Sequence, residues 1–167
     1  MQVGVMTVDV GTGSARAGIF DDGGRLLARA EHPIAMNRPM PDHAEQSSAD
    51  IWAAVGIAAR RAVELSGLPP AAIRGVAFDA TCSTVCLDAG GRPVCISTSG
   101  QPQWDVIVWL DHRAVAEAEE CTGTGHKVLD FIGGTMSREM ASPKLAWLIR
   151  HLPQSWQELG MAFDLAD

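Results

Sequence analysis

A chain of 167 residues with 47% apolar and 20% charged residues has the make-up of one globular domain, able to bury roughly two-thirds of its unfolded surface. Its net charge of −7, with no basic run of five or more residues, argues against an electrostatic nucleic-acid surface, and no stretch approaches the ~18 consecutive apolar residues of a membrane span. The N-terminus has no charged leader region, so the cytoplasm is the expected location, and Cys82, Cys86, Cys95 and Cys121 form no C-x-x-C pair and read as reduced thiols rather than zinc ligands.

In chain order, residues 3–8 are predicted to form a buried strand and residues 15–20 a second strand folding back. Asp21-Asp22-Gly23-Gly24 is a turn signal, and 25–33 would complete an antiparallel meander. Residues 34–46 read as a loop. Ser47 and Asp50 then resemble a capping box, with a helical stripe of Ile51, Val55, Ala58, Ala62 and Leu65 ending at Gly67. Strands are expected at 74–80 and 84–87, with a hairpin partner near 93–96, and a buried strand at 106–110. Helices follow at 113–120 and 128–132. Ser142 is expected to cap a helix with Pro143 at its first position, running to His151, and a last helix and strand fall at 154–159 and 161–165. Propensity gives an α/β fold with a mixed sheet.

The turn Asp9-Val10-Gly11-Thr12-Gly13-Ser14 and the following Arg16 carry the first chemical signal. Two glycines permit close backbone approach to a ligand and a nest of N–H groups suited to phosphate. Thr12 and Ser14 add hydroxyls, Arg16 a cation, and Asp9 a carboxylate able to hold Mg²⁺ through water. A plain acidic hairpin is the alternative. Two further strands end in ligand-compatible residues. Asp79, Ala80, Thr81, Cys82 and Ser83 close the first; Trp109, Leu110, Asp111, His112 and Arg113 close the second. An aromatic beside acidic and cationic groups suits a polyhydroxylated molecule. A strand cap, and a core Trp followed by a helix-starting Asp, are the corresponding structural readings. Crevices outside strand ends predict that Ala80 to Cys82 and Trp109 to Asp111 border one pocket, with Asp9 at its rim.

Asp9-x-Gly11-Thr12-x-Ser14-x-Arg16 resembles the first phosphate loop of the sugar-kinase, actin and heat-shock-chaperone ATPase superfamily. With His43-Ala44-Glu45-Gln46-Ser47, Phe78 to Ser83 and Trp109 to Ala114, the chain is similar in order to the FGGY carbohydrate kinases of the pentulose branch, ribulokinase and its D-ribulokinase-like relatives. The resemblance implies a ribonuclease-H-like lobe, an antiparallel meander followed by alternating strands and helices. It implies ATP and Mg²⁺ as cofactors, with Thr12, Gly13, Ser14 and Arg16 at the phosphates and Asp9 at the metal. Ala80, Thr81, Cys82, Trp109 and Asp111 would line the pocket for a sugar or polyol. Pro143 and Lys144 read mainly as helix-start architecture.

FGGY kinases are about three times this length, and their catalytic general-base Asp lies beyond the residues matched. The expectation is therefore that residues 1–167 are an incomplete N-terminal lobe with the C-terminal lobe as its missing partner. Such a piece would be inactive alone, with neither nucleic acid nor membrane as partner and a homodimer left open. Other classes remain: a stand-alone sugar-binding or regulatory module, an actin- or chaperone-type ATPase lobe, or a structural domain with vestigial sites.

Overall fold

The computed structural model describes residues 3–167, which divide into two compact units. The first comprises residues up to 35 together with 49–81; the second comprises 36–48 and 82–165. Among the described residues no helix is long and apolar enough to cross a membrane.

The first unit is built on a four-stranded sheet. Strands β1 (Gly4–Val10), β2 (Ser14–Asp21) and β3 (Leu26–Pro33) form the antiparallel meander. Helix α1 (Ser48–Ser66) follows after residues of the second unit, and β5 (Ile73–Ala80) returns parallel to β1, giving the order β3-β2-β1-β5. β1 alternates strictly: Met6, Val8 and Val10 are buried, whereas Val5, Thr7 and Asp9 are exposed. Period-two patterning of this kind fixes the register, since a slip of one residue would turn every apolar side chain to water. Ile51, Ala54, Val55, Ala58 and Ala62 form the buried stripe of α1. Leu65, expected to extend that stripe, is 51% exposed, because the helix is in its last turn and ends at Gly67, whose φ of +70° is the left-handed C-terminal stop. Ser47 stands just before the helix, as the capping reading expects, and Asp50 uses Oδ2 to accept the Ala35 N–H at 2.8 Å.

β5 is one margin of this sheet. Its register places Val76 and Phe78 beside Met6 and Val8, on the same face. Both nonetheless remain exposed, and Phe78 stacks on the equally exposed Trp52, with centroids 6.4 Å apart.

The second unit holds a small antiparallel sheet of order β4-β7-β6-β8, made of β4 (Glu45–Gln46), β6 (Thr84–Leu87), β7 (Val106–Ile107) and β8 (Met161–Asp164). Helices α2 (Val115–Gly123), α3 (Ala141–His151) and α4 (Pro153–Glu158) accompany it, with a short 3₁₀ helix at Lys127–Phe131. Cys86, Val94, Ile96, Ile107, Ala114, Trp147 and Leu148 form its core. Burial pushes the Cys86 thiol up to about 12, so it packs as an inert apolar group.

The structure corrects three expectations. The strand expected at 106–110 stops at Ile107, because the Asp111 N–H turns back to the Val108 carbonyl at 2.9 Å. The hairpin partner near 93–96 reduces to a bridge between Leu87 and Pro93, since the Ile96 N–H pairs instead with the Trp104 carbonyl. α3 starts at Ala141 behind Met140, so Ser142 and Pro143 occupy its first turn, where a missing N–H costs nothing.

Candidate functional site

The register of the first hairpin places Asp9 directly opposite Arg16, and Arg16 Nη2 donates to Asp9 Oδ1 at 3.1 Å. Cross-strand pairing sets this contact, and Gly11 gives it room. A Cβ on Gly11 would lie 2.2 Å from Arg16 Nη2, so the guanidinium lies across the bare backbone of Gly11. Neither Gly11 nor Gly13 has a positive φ; at Gly11 it is space, not conformation, that the glycine provides. The expected nest is narrower than the sequence implies, because the Gly11 N–H is turned inward to the Ser14 carbonyl at 3.0 Å. The Gly13 carbonyl is likewise taken by the Ile34 N–H. At Gly13 an added Cβ would meet nothing within 4 Å, so the loop's tip is open.

This donor set fits a magnesium-bound polyphosphate. Asp9 is half exposed, and its Oδ2 has no protein partner among the described residues. No cluster of three His, Cys, Asp or Glu able to hold a metal occurs among the described residues. A divalent ion at Asp9 would therefore keep most of its ligands as water or phosphate oxygen, which Mg²⁺ prefers. Arg16 Nε is buried without a hydrogen-bond partner among the described residues, an unsatisfied donor beside the loop. Gly11→Ala is expected to push the guanidinium off Asp9, because the flexible Arg16 end must yield to the new methyl group. In a longer protein bearing this chain, the Arg16–Asp9 coupling measured by a double-mutant cycle should fall to about zero in the Gly11→Ala background, where a surface pair ordinarily gives ~0.2–1 kcal/mol.

β5 brings its own end to this loop. Ala80 pairs with Val10, and the Thr81 N–H donates to the Val10 carbonyl at 3.0 Å. The same register sets Asp79 beside Asp9. Ala80 and Thr81 therefore adjoin the loop of Gly11 to Ser14 inside the first unit.

In the second unit the Trp109 N–H donates to Ser83 Oγ at 3.2 Å, joining the residue that follows Cys82 to the corner where β7 ends. Cys82 is exposed and Trp109 half-buried. Asp111 differs from its expectation. It is fully buried, and both oxygens are committed: Oδ1 to the Arg113 N–H and Nε, Oδ2 to Arg113 Nη2 and to the Ala44 N–H at 2.6 Å. That geometry is the structural one, an anchor for Arg113 rather than a surface for hydroxyls.

Arg113 is the centre of the unit. It also donates to Glu45 Oε1 at 2.9 Å and to the Ile96 carbonyl at 3.0 Å, and lies 4.9 Å above the Trp147 ring. Burial alone would raise the Glu45 carboxyl, but the His43 ring, Ser97 and the Arg113 charge outweigh it and hold Glu45 below its ordinary value. The His43 contact is electrostatic, since its Nδ1 stands 3.8 Å from Glu45 Oε1. The sequence showed His43, Glu45 and Arg113 as part of a familiar pattern, but not that they meet. Glu45 and Arg113 stand 68 residues apart, a separation that carries no local periodicity.

Residues 4–163 match the N-terminal domain of the FGGY family of carbohydrate kinases. The chain belongs to that family. It is 47% identical over 161 residues to an FGGY carbohydrate kinase domain-containing protein of Homo sapiens, covering 96% of this chain and 29% of that one. It is 41% identical over 162 residues to a D-ribulokinase of Saccharomyces cerevisiae, covering 96% and 23% respectively. The chain thus spans less than a third of the length of these FGGY relatives. The xylulose kinase of Rhodospirillum rubrum shares the fold at a TM-score of 0.79 and 20% identity, over 98% of this chain and 32% of that one. The mixed sheet and its order are those of the ribonuclease-H-like sugar-kinase architecture.

Proposed function

We propose that this chain is the N-terminal part of an ATP-dependent kinase that phosphorylates a pentulose or a closely related polyol, the remaining lobe lying outside these residues. The observation that carries the reading is the hairpin in which Asp9 and Arg16 face each other across a bare Gly11, beside the end of β5. The 41% identity to a D-ribulokinase supports the pentulose class. In the proposed roles, Thr12, Gly13, Ser14 and Arg16 bind the β- and γ-phosphates and Asp9 holds Mg²⁺ through water. Ala80, Thr81, Cys82 and Trp109 contact the sugar, and Asp111 acts through Arg113. Magnesium and ATP supply the transferable phosphoryl group and its charge neutralisation. This chain's residues position that group, one half of what phosphoryl transfer asks of a protein; closing over it to exclude water takes the remaining lobe as well. The general base that accepts the hydroxyl proton is assigned to the remaining lobe.

A screen of the full-length protein against pentuloses and polyols, following sugar-dependent ADP formation, tests the reading. A pentulose should give the highest kcat/KM; ATP hydrolysis indifferent to every sugar would overturn it. Trp109→Ala should then raise the sugar KM by the equivalent of ~1–3 kcal/mol through lost stacking area, with little change for ATP. Equal losses for both ligands would instead report unfolding.

A further inference from the structure

Lys144 sits in the first turns of α3 with no exposed surface. Its Nζ donates to the Val108 carbonyl at 2.9 Å and to the Trp109 carbonyl at 3.0 Å. An ammonium is a poor choice for this place on packing grounds alone. Removing it from water is costly, and the N-terminal end of a helix carries the positive end of the dipole, which repels a cation. Burial accordingly draws the Lys144 pKa down to about 8, against the pull of Asp111. Arg113 from the segment after β7 pushes the same way as burial, while Cys82 ahead of β6 and Glu139 ahead of α3 favour the charge. An apolar side chain would fill the space at less cost. What only a long donor can supply there is the pair of bonds to the corner at Val108 and Trp109. That corner is gripped from other sides as well: the Asp111 N–H shares the Val108 carbonyl, and Ser83 Oγ holds the Trp109 N–H.

We propose that Lys144 is a positioning residue for the sugar side of the site: by holding the Val108 and Trp109 carbonyls it fixes the backbone at Trp109 and so the direction of the indole. It touches no substrate itself. The proposal rests on the reading of Trp109 as a sugar-contacting wall. It converts a residue that the sequence offers as helix-start architecture into a link between α3 and substrate recognition.

The test uses the full-length enzyme with Lys144→Met, which keeps an unbranched apolar stem one atom shorter and removes the donors. The sugar KM should rise about tenfold or more, since small misplacements of a contact group are felt strongly, while the ATP KM stays within about twofold. With 5-fluorotryptophan incorporated, the Trp109 fluorine resonance, assigned by Trp109→Phe, should shift or split in the variant while those of Trp52, Trp104 and Trp156 stay in place. If Lys144→Met is recovered only as aggregate, Lys144→Gln replaces it, with the same split expected. An unchanged Trp109 resonance, or sugar and ATP KM values rising by one common factor, overturns the proposal. The two readings fail separately. A Trp109→Ala enzyme with unchanged sugar KM removes the sugar-side assignment itself. A large Trp109→Ala effect beside a silent Lys144→Met removes only the positioning role of Lys144.

Discussion

Asp9→Asn in the full-length enzyme should lower kcat on the order of a hundredfold or more, with the sugar KM changing by no more than about threefold. The carboxylate and its amide have nearly the same shape, so the β1–β2 hairpin, fixed by seven paired positions from Gly4 to Val10, is undisturbed. What disappears is the carboxylate proposed to hold a hydrated divalent ion against the transferring phosphoryl group. That interaction strengthens as charge builds in the transition state, so its loss falls on kcat. The Arg16–Asp9 bond of 3.1 Å is between half-exposed side chains and is worth little to stability, so the melting temperature should hardly move. Steady-state kinetics at saturating Mg·ATP decide the matter. A variant with near wild-type kcat would leave Asp9 as a turn residue only.

The largest stability effect is expected at Arg113. Arg113→Met leaves Asp111 and Glu45 as uncompensated carboxylates, both fully buried, and should destabilise the fold by ~3–5 kcal/mol in denaturant melts at neutral pH. The pH dependence gives this a sign. Glu45 has its folded pKa held below the ordinary 4.5, so in the wild type its contribution is present above about 4.5 and is lost as pH falls through the lower folded value. Without Arg113 the guanidinium's share of that lowering is lost, so the folded pKa of Glu45 rises from its wild-type position. Acidification then costs the variant less than the wild type, because Glu45 protonates more readily once the guanidinium is gone. The stability gap between wild type and Arg113→Met should therefore narrow as pH drops from about 7 toward about 4. A gap that widens in acid would mean that the guanidinium is not what keeps Glu45 ionised.

How far the sequence reached depended on whether a signal was local. β1 and β2 announce themselves by alternation and α1 by its stripe and terminal Gly67, and all three lie close to expectation. The loop chemistry of Asp9 to Arg16 was legible for the same reason, since the residues are neighbours in sequence. Legibility failed where a distant partner overrode propensity. Val106 to Leu110 is as apolar as any strand in the chain, yet it turns after Ile107, where the Asp111 N–H folds back to the Val108 carbonyl and Lys144, 35 and 36 residues away, adds bonds to the same corner. Asp111 has the composition of a sugar ligand and the surroundings of a salt-bridge anchor, a distinction that only the fold of Arg113 back onto it can reveal. Lys144 gave no hint of its bonds, because a lysine near a Pro in a helix's first turn is ordinarily a solvated residue.

The position of β5 at the margin of its sheet matters for anyone handling this polypeptide. Among the described strands, β5 pairs only with β1, and Val76, Phe78 and Trp52 crowd the same open flank. An unpaired row of backbone donors and acceptors beside exposed aromatics is a template on which another extended chain can add. Arg74 and Asp79 are the charged residues along that strand, towards its two ends, leaving Gly75 to Phe78 without a gatekeeper. Yield and sample homogeneity of the 167-residue piece should thus be governed by concentration and time rather than by the strength of its core. Val76→Lys should improve solubility while leaving the Asp9 hairpin as it is.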